Sequence, residues 1–304
     1  MNPNYRQKIK LQDAKAITEK IREKIITDAR RTFEDSTAFR SSGKYVLDKL
    51  DSIRKYIWTY SFIISNNFPE FYYLETHAGP GLCKIRNTSK IECGTPILAL
   101  SNYPRFSKYR FIECDDTCYN SLNNLVKKYF GEYDAKVIKG DSNKIISSIL
   151  SDFEQNLPTL CVIDPEGTEI YWETLESMSE YRTDLILLFP YDMAIKRCIS
   201  PNCPPNVQYA VTRMYGSEEW KKISNEYYNK KIKHSEARRR FVELYKSRLS
   251  NVLKYPEVVV SKIIKGDRNQ PLYYLILAGR KQIVTKIGRE ILDIKTEQTK
   301  LECL

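Results

Sequence analysis

Four short stretches of this 304-residue chain combine carboxylates with glycines or proline in ways that can do chemistry. The first is Glu75-Thr76-His77-Ala78-Gly79-Pro80-Gly81. Gly79 and Gly81 permit positive φ and close approach of the backbone to a ligand, and Glu75 just ahead can reach an amino group. A plain tight turn needs the same Gly-Pro-Gly, and His77 suits a structural hydrogen bond as well as a substrate contact. The second is Phe111-Ile112-Glu113-Cys114-Asp115-Asp116. Glu113 can accept hydrogen bonds from both hydroxyls of a ribose, while Asp115 and Asp116 are good helix N-caps. The third, Gly140-Asp141-Ser142-Asn143, offers Asp141 either as an N-cap or as an acceptor for an exocyclic amino group. The fourth is Asp164-Pro165-Glu166-Gly167. Here the Asp164 side chain and a backbone carbonyl can orient a target NH2 group. Asp164 with Glu166 can alternatively hold a divalent cation, and the same residues suit a turn that opens a helix.

Each stretch follows a short run of β-forming residues: 71–74, 109–112, 135–138 and 160–163, with a fifth run at 185–189. Helical patterns over 117–130, 142–153 and 172–181 separate them. This alternation predicts a parallel sheet covered on both faces. In such a sheet ligands bind beyond the C-terminal ends of the strands, where all four stretches fall in order. That co-occurrence points to a nucleoside-containing ligand.

On either side the pattern changes. Residues 9–31 and 44–64 have helical spacing, the second ended by Ser65-Asn66-Asn67. Residues 191–252 are polar, basic and helical, entered through Pro201, Pro204 and Pro205. Residues 257–264 and 272–278 then read as a hairpin around 265–271, and 281–296 as a closing amphipathic helix. A dinucleotide dehydrogenase would continue with parallel strands. A class I methyltransferase sheet ends with an antiparallel seventh strand beside the fifth. The predicted class is therefore α/β, a Rossmann-like class I methyltransferase sheet whose parallel strands end in an antiparallel hairpin. Its parts are an N-terminal helical region (1–69), the core (70–190 and 253–304) and a basic helical insertion (191–252).

The net charge of +11 favours anionic partners such as nucleic acid, although a lysine-rich composition alone gives the same figure. The local clusters, Lys230-Lys231 with Lys233 and Arg238-Arg239-Arg240, both lie in the insertion. Tyr227, Tyr228 and Tyr245 alternate with them, a mixture suited to backbone contact and base stacking, or to a solvated helix face. No uninterrupted apolar run reaches about 18 residues and no apolar segment follows the charged start, so the reading is no membrane and a cytoplasmic location. The eight cysteines then read as reduced thiols. None has zinc-ribbon spacing, although Cys83, Cys93, Cys198 and Cys203 could meet in space. With two histidines a His-rich metal site is excluded, and no metal is expected. Without a Walker loop, a serine elbow or a His-Glu-x-x-His helix, kinase, hydrolase and metalloprotease readings lose support.

As an ordered set, these residues resemble the three-Cys-motif partner (TcmP) family. The likeness runs from about residue 44 to 280. It is carried by the stretches around Gly79, Glu113, Asp141 and Asp164, by Gly94-Thr95-Pro96-Ile97-Leu98-Ala99-Leu100 and by Asp184-Leu185-Ile186-Leu187-Leu188-Phe189-Pro190. Tyr215-Gly216 with Trp220 and Leu272-Tyr273-Tyr274-Leu275-Ile276 extend it. The family usually has Asp in place of Glu75 and Phe in place of His77. The resemblance implies a class I methyltransferase fold and a neighbouring three-Cys-motif protein of radical-enzyme type as partner. On this reading the cofactor is S-adenosylmethionine. Glu75, His77, Gly79 and Gly81 hold its methionine end, Glu113 its ribose and Asp141 its adenine. Asp164, with Pro165 and Glu166, forms the catalytic loop. The expected activity is methyl transfer to an amino group of a nucleic acid or nucleotide. The alternatives are a non-catalytic partner of a radical-type enzyme or nucleic acid, and a metal-dependent nuclease using Asp164 and Glu166.

Overall fold

The computed structural model describes residues 11–31, 39–192, 195–196, 200 and 203–293. Helices α1 (Leu11–Arg31) and α2 (Tyr45–Ser65) flank a short strand, β1 (Arg40–Ser42). Strand β2 (Tyr72–Glu75) is followed by β3 (Leu82–Ile85), β4 (Ile91–Cys93) and α3 (Thr95–Leu100). Strands and helices then alternate: β5 (Lys108–Glu113), α4 (Asp116–Phe130), β6 (Ala135–Lys139), α5 (Ser142–Leu150), β7 (Thr159–Ile163), α6 (Trp172–Ser179) and β8 (Thr183–Phe189). Three helices follow, α7 (Pro205–Tyr215), α8 (Trp220–Tyr228) and α9 (His234–Asn251). The chain returns to the sheet through β9 (Glu257–Val260), β10 (Ile264–Lys265) and β11 (Pro271–Gly279), with α10 (Gln282–Asp293) packed after them. Residues 9–10 and 294–296 of the predicted helices, and Cys198, lie outside the described residues.

The main sheet runs β10-β11-β8-β7-β2-β5-β6, and β9 also pairs with β11. Strands β6, β5, β2, β7 and β8 are parallel, and β11 is antiparallel to β8, β9 and β10. The penultimate position of β11 between β8 and β9 makes this a Rossmann-like methyltransferase sheet. The chain winds outward from β2 through β5 and β6, then crosses back to β7 and β8. The switch point lies between β2 and β7, where such sheets place their ligands.

Period-two alternation divides the sheet's side chains between two cores. Tyr73, Phe111, Val162 and Leu188 pack with α1, α2, α3 and α4 on one face. Leu74, Cys161, Leu187 and Phe189 pack with α5, α6 and the three helices of the insertion on the other. Every residue of β2, β7 and β8 is buried, as parallel strands covered on both faces require.

Two features depart from the sequence reading. The predicted strand over 257–264 is broken into β9 and β10. At the break Ser261 exchanges both a backbone bond and a side-chain bond with Leu275, and the register then shifts between Ile264 and Lys265. The other is a three-stranded sheet, β1-β3-β4, in a region read as helix and loop. Strand β1 pairs in parallel with β3, Arg40 opposite Cys83, and carries the N-terminal segment over the end of the main sheet.

The left-handed residue Gly216 (φ 61°) ends α7 and lets it close on α6. A Cβ there would lie 2.3 Å from Cγ of Trp172, the first residue of α6. The Arg248 guanidinium covers the same indole at 4.6 Å and donates to the Gly216 carbonyl. Gly216→Ala combines left-handed strain with an overpacked buried ring. The expected loss is about 2–4 kcal/mol of stability, read as a shifted urea midpoint at unchanged slope.

Candidate active site

The loop after β2 is held from two sides. The Thr76 N–H donates to the Val162 carbonyl of β7, and the Ala78 N–H to the Ile112 carbonyl of β5. The chain then needs positive φ at Gly79 (66°) and Gly81 (84°). A Cβ on Gly79 would meet only Arg40 Nη1, at 4.0 Å, so the torsion and not crowding demands glycine, and the space beside it is open. Glu113 fixes this loop to the next one. Its Oε2 accepts the Gly79 N–H at 2.7 Å and its Oε1 the Asp115 N–H at 2.8 Å.

Asp141 caps α5 by accepting the Asn143 N–H at 3.0 Å. The Asn143 amide in turn orders the loop after β7. It donates to the Glu169 carbonyl at 2.7 Å and accepts from the Tyr171 N–H and the Thr174 hydroxyl. His77 shares a 2.8 Å hydrogen bond with Thr76 Oγ1. Burial lowers its pKa, against the opposing pull of Glu169, Asp164, Glu113 and Asp141. The imidazole is therefore neutral at pH 7, and acids from the loops after β5, β6 and β7 converge on it.

Asp164 is ion-paired at 2.5 Å with Lys49 Nζ of α2, the two side chains 16% and 13% exposed. Glu166 is paired with Arg40 of β1. These cations close a cavity of about 80 Å³ lined by His77, Gly79, Gly81, Thr95, Asp164 and Tyr273, with Pro165 and Glu166 at its edge. Pockets that take a whole small molecule measure roughly 300–1,000 Å³. The described cavity has room for a group of a few atoms.

The structure thus gathers His77, Gly79, Gly81, Asp164, Pro165 and Glu166 around one cavity; Glu113 and Asp141 do not line it and reach His77 only electrostatically. Glu75 departs from the expectation that it faces a ligand. It is fully buried behind the cavity wall, where Oε1 accepts from the Thr95 hydroxyl and Oε2 from the Tyr73 hydroxyl at 2.9 Å. Burial pushes its carboxyl up to about 8. Arg40, Lys49, Thr95 and Tyr273 are site residues that the sequence reading missed. Lys49 does leave a signal. It sits on the face of α2 that buries Val46, Leu50 and Ile53, where helical periodicity calls for an apolar residue.

The insertion meets the loop after β7 through Arg213, whose guanidinium lies 3.9 Å over the Tyr171 ring and 5.8 Å from that of Tyr209, itself 60% exposed. Tyr245, a candidate stacking residue, is instead completely buried among Trp172, Phe189 and Tyr215. Much of the basic charge is paired locally, Arg239 with Glu236, Arg240 with Glu226 and Arg248 with Glu219. Lys230, Lys231 and Lys233 stand exposed between α8 and α9. Of the described thiols, Cys83 and Cys93 belong to one core and Cys203 to the other. Among the described residues no group of three or more His, Cys, Asp or Glu is placed to hold a metal ion, and no helix is long and apolar enough to cross a membrane.

No family model matches the chain, and no curated protein matches it. Among solved structures it is similar to protein LPL1258 of Legionella pneumophila, of family model DUF519. That TM-score is 0.52 at 14% identity, over 81% of this chain and 91% of the other. This likeness shows the fold alone. Weaker likenesses include the N-terminal domain of human METTL16 in complex with SAH (TM-score 0.43, 12% identity, 90% and 85% covered). Another is the O-methyltransferase TomG of Streptomyces achromogenes in complex with SAM (0.40, 11%, 77% and 78%). At those scores neither carries an argument.

Glu75 gives the site a pH signature. Between its ordinary value of 4.5 and about 8, the folded protein keeps a proton that the unfolded chain has lost. This group's contribution to stability therefore falls as pH rises through that window. Asp184, pushed up to about 6 by burial, acts in the same direction over its lower part. Glu75→Gln removes only the Glu75 share. Urea unfolding from about pH 5 to about pH 8 is expected to show a flatter decline in the variant than in the native protein.

Proposed function

We propose that this chain is an S-adenosylmethionine-dependent methyltransferase acting on an amino group, the acceptor being a nucleic acid or nucleotide. The observation that carries the reading is the meeting of four loops at the switch point of a methyltransferase-type sheet. Gly79 and Asp164 share one cavity with a neutral His77, and Glu113 and Asp141 lie within electrostatic reach of that imidazole.

The residues present fit the cofactor. The torsions at Gly79 and Gly81 leave open backbone at the place assigned to the methionine end. Glu113 spends two of its roughly four lone-pair sites on backbone N–H groups, which leaves acceptors for ribose hydroxyls. Asp141 stands at the N-terminus of α5 for the adenine amino group. When bound, S-adenosylmethionine supplies a methyl group on a positively charged sulfur. The chain's own part is alignment and exclusion of water. Asp164, ion-paired with Lys49, accepts the N–H of an amino acceptor, and the neutral His77 adds no cation beside it. Tyr209, Arg213 and Tyr171 form an exposed aromatic and cationic edge beside the catalytic loop, suited to an unpaired base. The exposed lysines of the insertion suit a phosphate backbone.

One observation favours a second reading. The cavity is about 80 Å³ and both loop carboxylates are already ion-paired. That arrangement also suits a non-catalytic partner that keeps the scaffold and docks onto a three-Cys-motif enzyme or nucleic acid. The metal-dependent nuclease has no comparable support, since Asp164 and Glu166 each face a cation and not a further acid.

Isothermal titration with S-adenosylmethionine separates the readings. The expected result is micromolar binding, lost in Glu113→Ala and retained in Asp164→Ala, with transfer abolished in the latter. Arg40→Ala, which removes an exposed cation from the cavity mouth, is expected to bind severalfold more tightly. Absence of binding to well-folded native protein and to Arg40→Ala alike would establish the second reading.

A further inference from the structure

The cavity already contains an amine. Lys49 Nζ lies 2.5 Å from Asp164 Oδ2, the atom to which the proposed function gives the task of orienting an acceptor nitrogen. A lysine on the apolar face of α2, between Val46, Leu50 and Ile53, has no packing reason to be there. Burying its ammonium needs a compensating partner, and the partner it has is the catalytic-loop carboxylate.

The two sides of Asp164 differ. The residues assigned to the cofactor, Gly79, Glu113 and Asp141, follow β2, β5 and β6 on one side of β7. Lys49 reaches the cavity from α2, and Leu188 of β8 and Tyr273 of β11 line the wall on the other side. Lys49 shares this one cavity with Gly79 and Gly81, the loop assigned to the methionine end, so the amine can face a methyl donor with Asp164 beside it as the proton acceptor.

We propose that Lys49 is itself a methyl acceptor, so that the chain methylates its own α2 in cis. This rests on the reading as a methyltransferase. The step balances without further reagents. Nζ first gives one proton to Asp164 Oδ2 and so frees its lone pair; an Nζ–CH3 bond then forms as the S–CH3 bond of the donor breaks, and Asp164 passes the proton on to water. The products are Nε-methyllysine and the demethylated thioether. A methylated Nζ keeps its charge and its pair with Asp164 but offers one fewer N–H.

The test uses the full chain. Purified protein is first weighed intact as isolated, then incubated with S-adenosylmethionine bearing a deuterated methyl group and digested with a protease that cleaves after glutamate. The label is expected on Lys49. Its appearance should be first order and independent of protein concentration, and exposed lysines such as Lys222 should remain unlabelled. Asp164→Asn is expected to slow labelling at least about 100-fold, and Lys49→Arg to abolish it while still binding the cofactor in a titration. Cofactor binding with no label at Lys49, and no added methyl mass in the isolated protein, would overturn self-methylation and leave the methyltransferase reading standing. Failure of the cofactor to bind, with Lys49 unmodified in the isolated protein, would overturn both.

Discussion

The Lys49–Asp164 ion pair is the constraint on which the site's arrangement depends. Both side chains are largely out of water, so neither charge can lose the other cheaply. Removal of one partner from such a pair leaves an uncompensated charge, typically worth about 3–5 kcal/mol. The pair therefore fixes α2 against the loop after β7. The neighbouring Arg40–Glu166 pair is more exposed and correspondingly weaker. One contact is a hinge point and the other a clasp. Between them the small β1-β3-β4 sheet lies over the C-terminal ends of β2 and β7, and the cavity is closed from the side of α2.

A second carboxylate organises the opposite side by a different means. Among the described residues Glu113 has no ion-pair partner, and it binds backbone. It takes one N–H from the glycine loop and one from the start of α4, and so couples the ends of β2 and β5 into one surface. The backbone at Gly79 stays open apart from the Arg40 guanidinium at its edge, while Lys49 fills the place beside Asp164.

How much of this the sequence revealed follows from which interactions are local. The runs at β2, β5, β6, β7 and β8 could be read because each buries its residues and is bounded by turn chemistry and a capped helix. Asp115 and Asp141 cap as their types suggest. The strands β1, β3 and β4 could not be read, because three or four residues with little β-pattern become strands only by pairing with each other. The break between β9 and β10 depends on a single serine bonding across to Leu275. In the site, glycines and loop acids were visible because torsion and sequence position constrain them. Glu75 was misplaced because a carboxylate at the end of a buried strand faces whichever side the pleat dictates, here Tyr73 and Thr95. Arg40 and Lys49 lie far from Asp164 in sequence, and their role exists only in the folded chain.

On the proposed methyltransferase reading, the charge beside Asp164 restricts what can replace Lys49. A ligand that displaces the ammonium leaves Asp164 facing the cavity, so it must return an N–H donor to Oδ2 or leave a buried carboxylate unsatisfied. An exocyclic amino group meets that demand with a neutral donor, a primary aliphatic amine with a charged one, and a hydroxyl acceptor less fully. Glu75, kept protonated behind Thr95, adds no second negative charge at neutral pH, so the site does not select for a dication. The carboxylate thus prefers nitrogen acceptors whether the amine comes from another molecule or from α2. If Asp164 is the acceptor-orienting group proposed above, Lys49 competes for it at an effective concentration that a diffusing substrate rarely matches. An external amino group therefore gains access only when its contacts elsewhere, along Tyr171, Arg213 and the insertion, offset the loss of the internal ion pair.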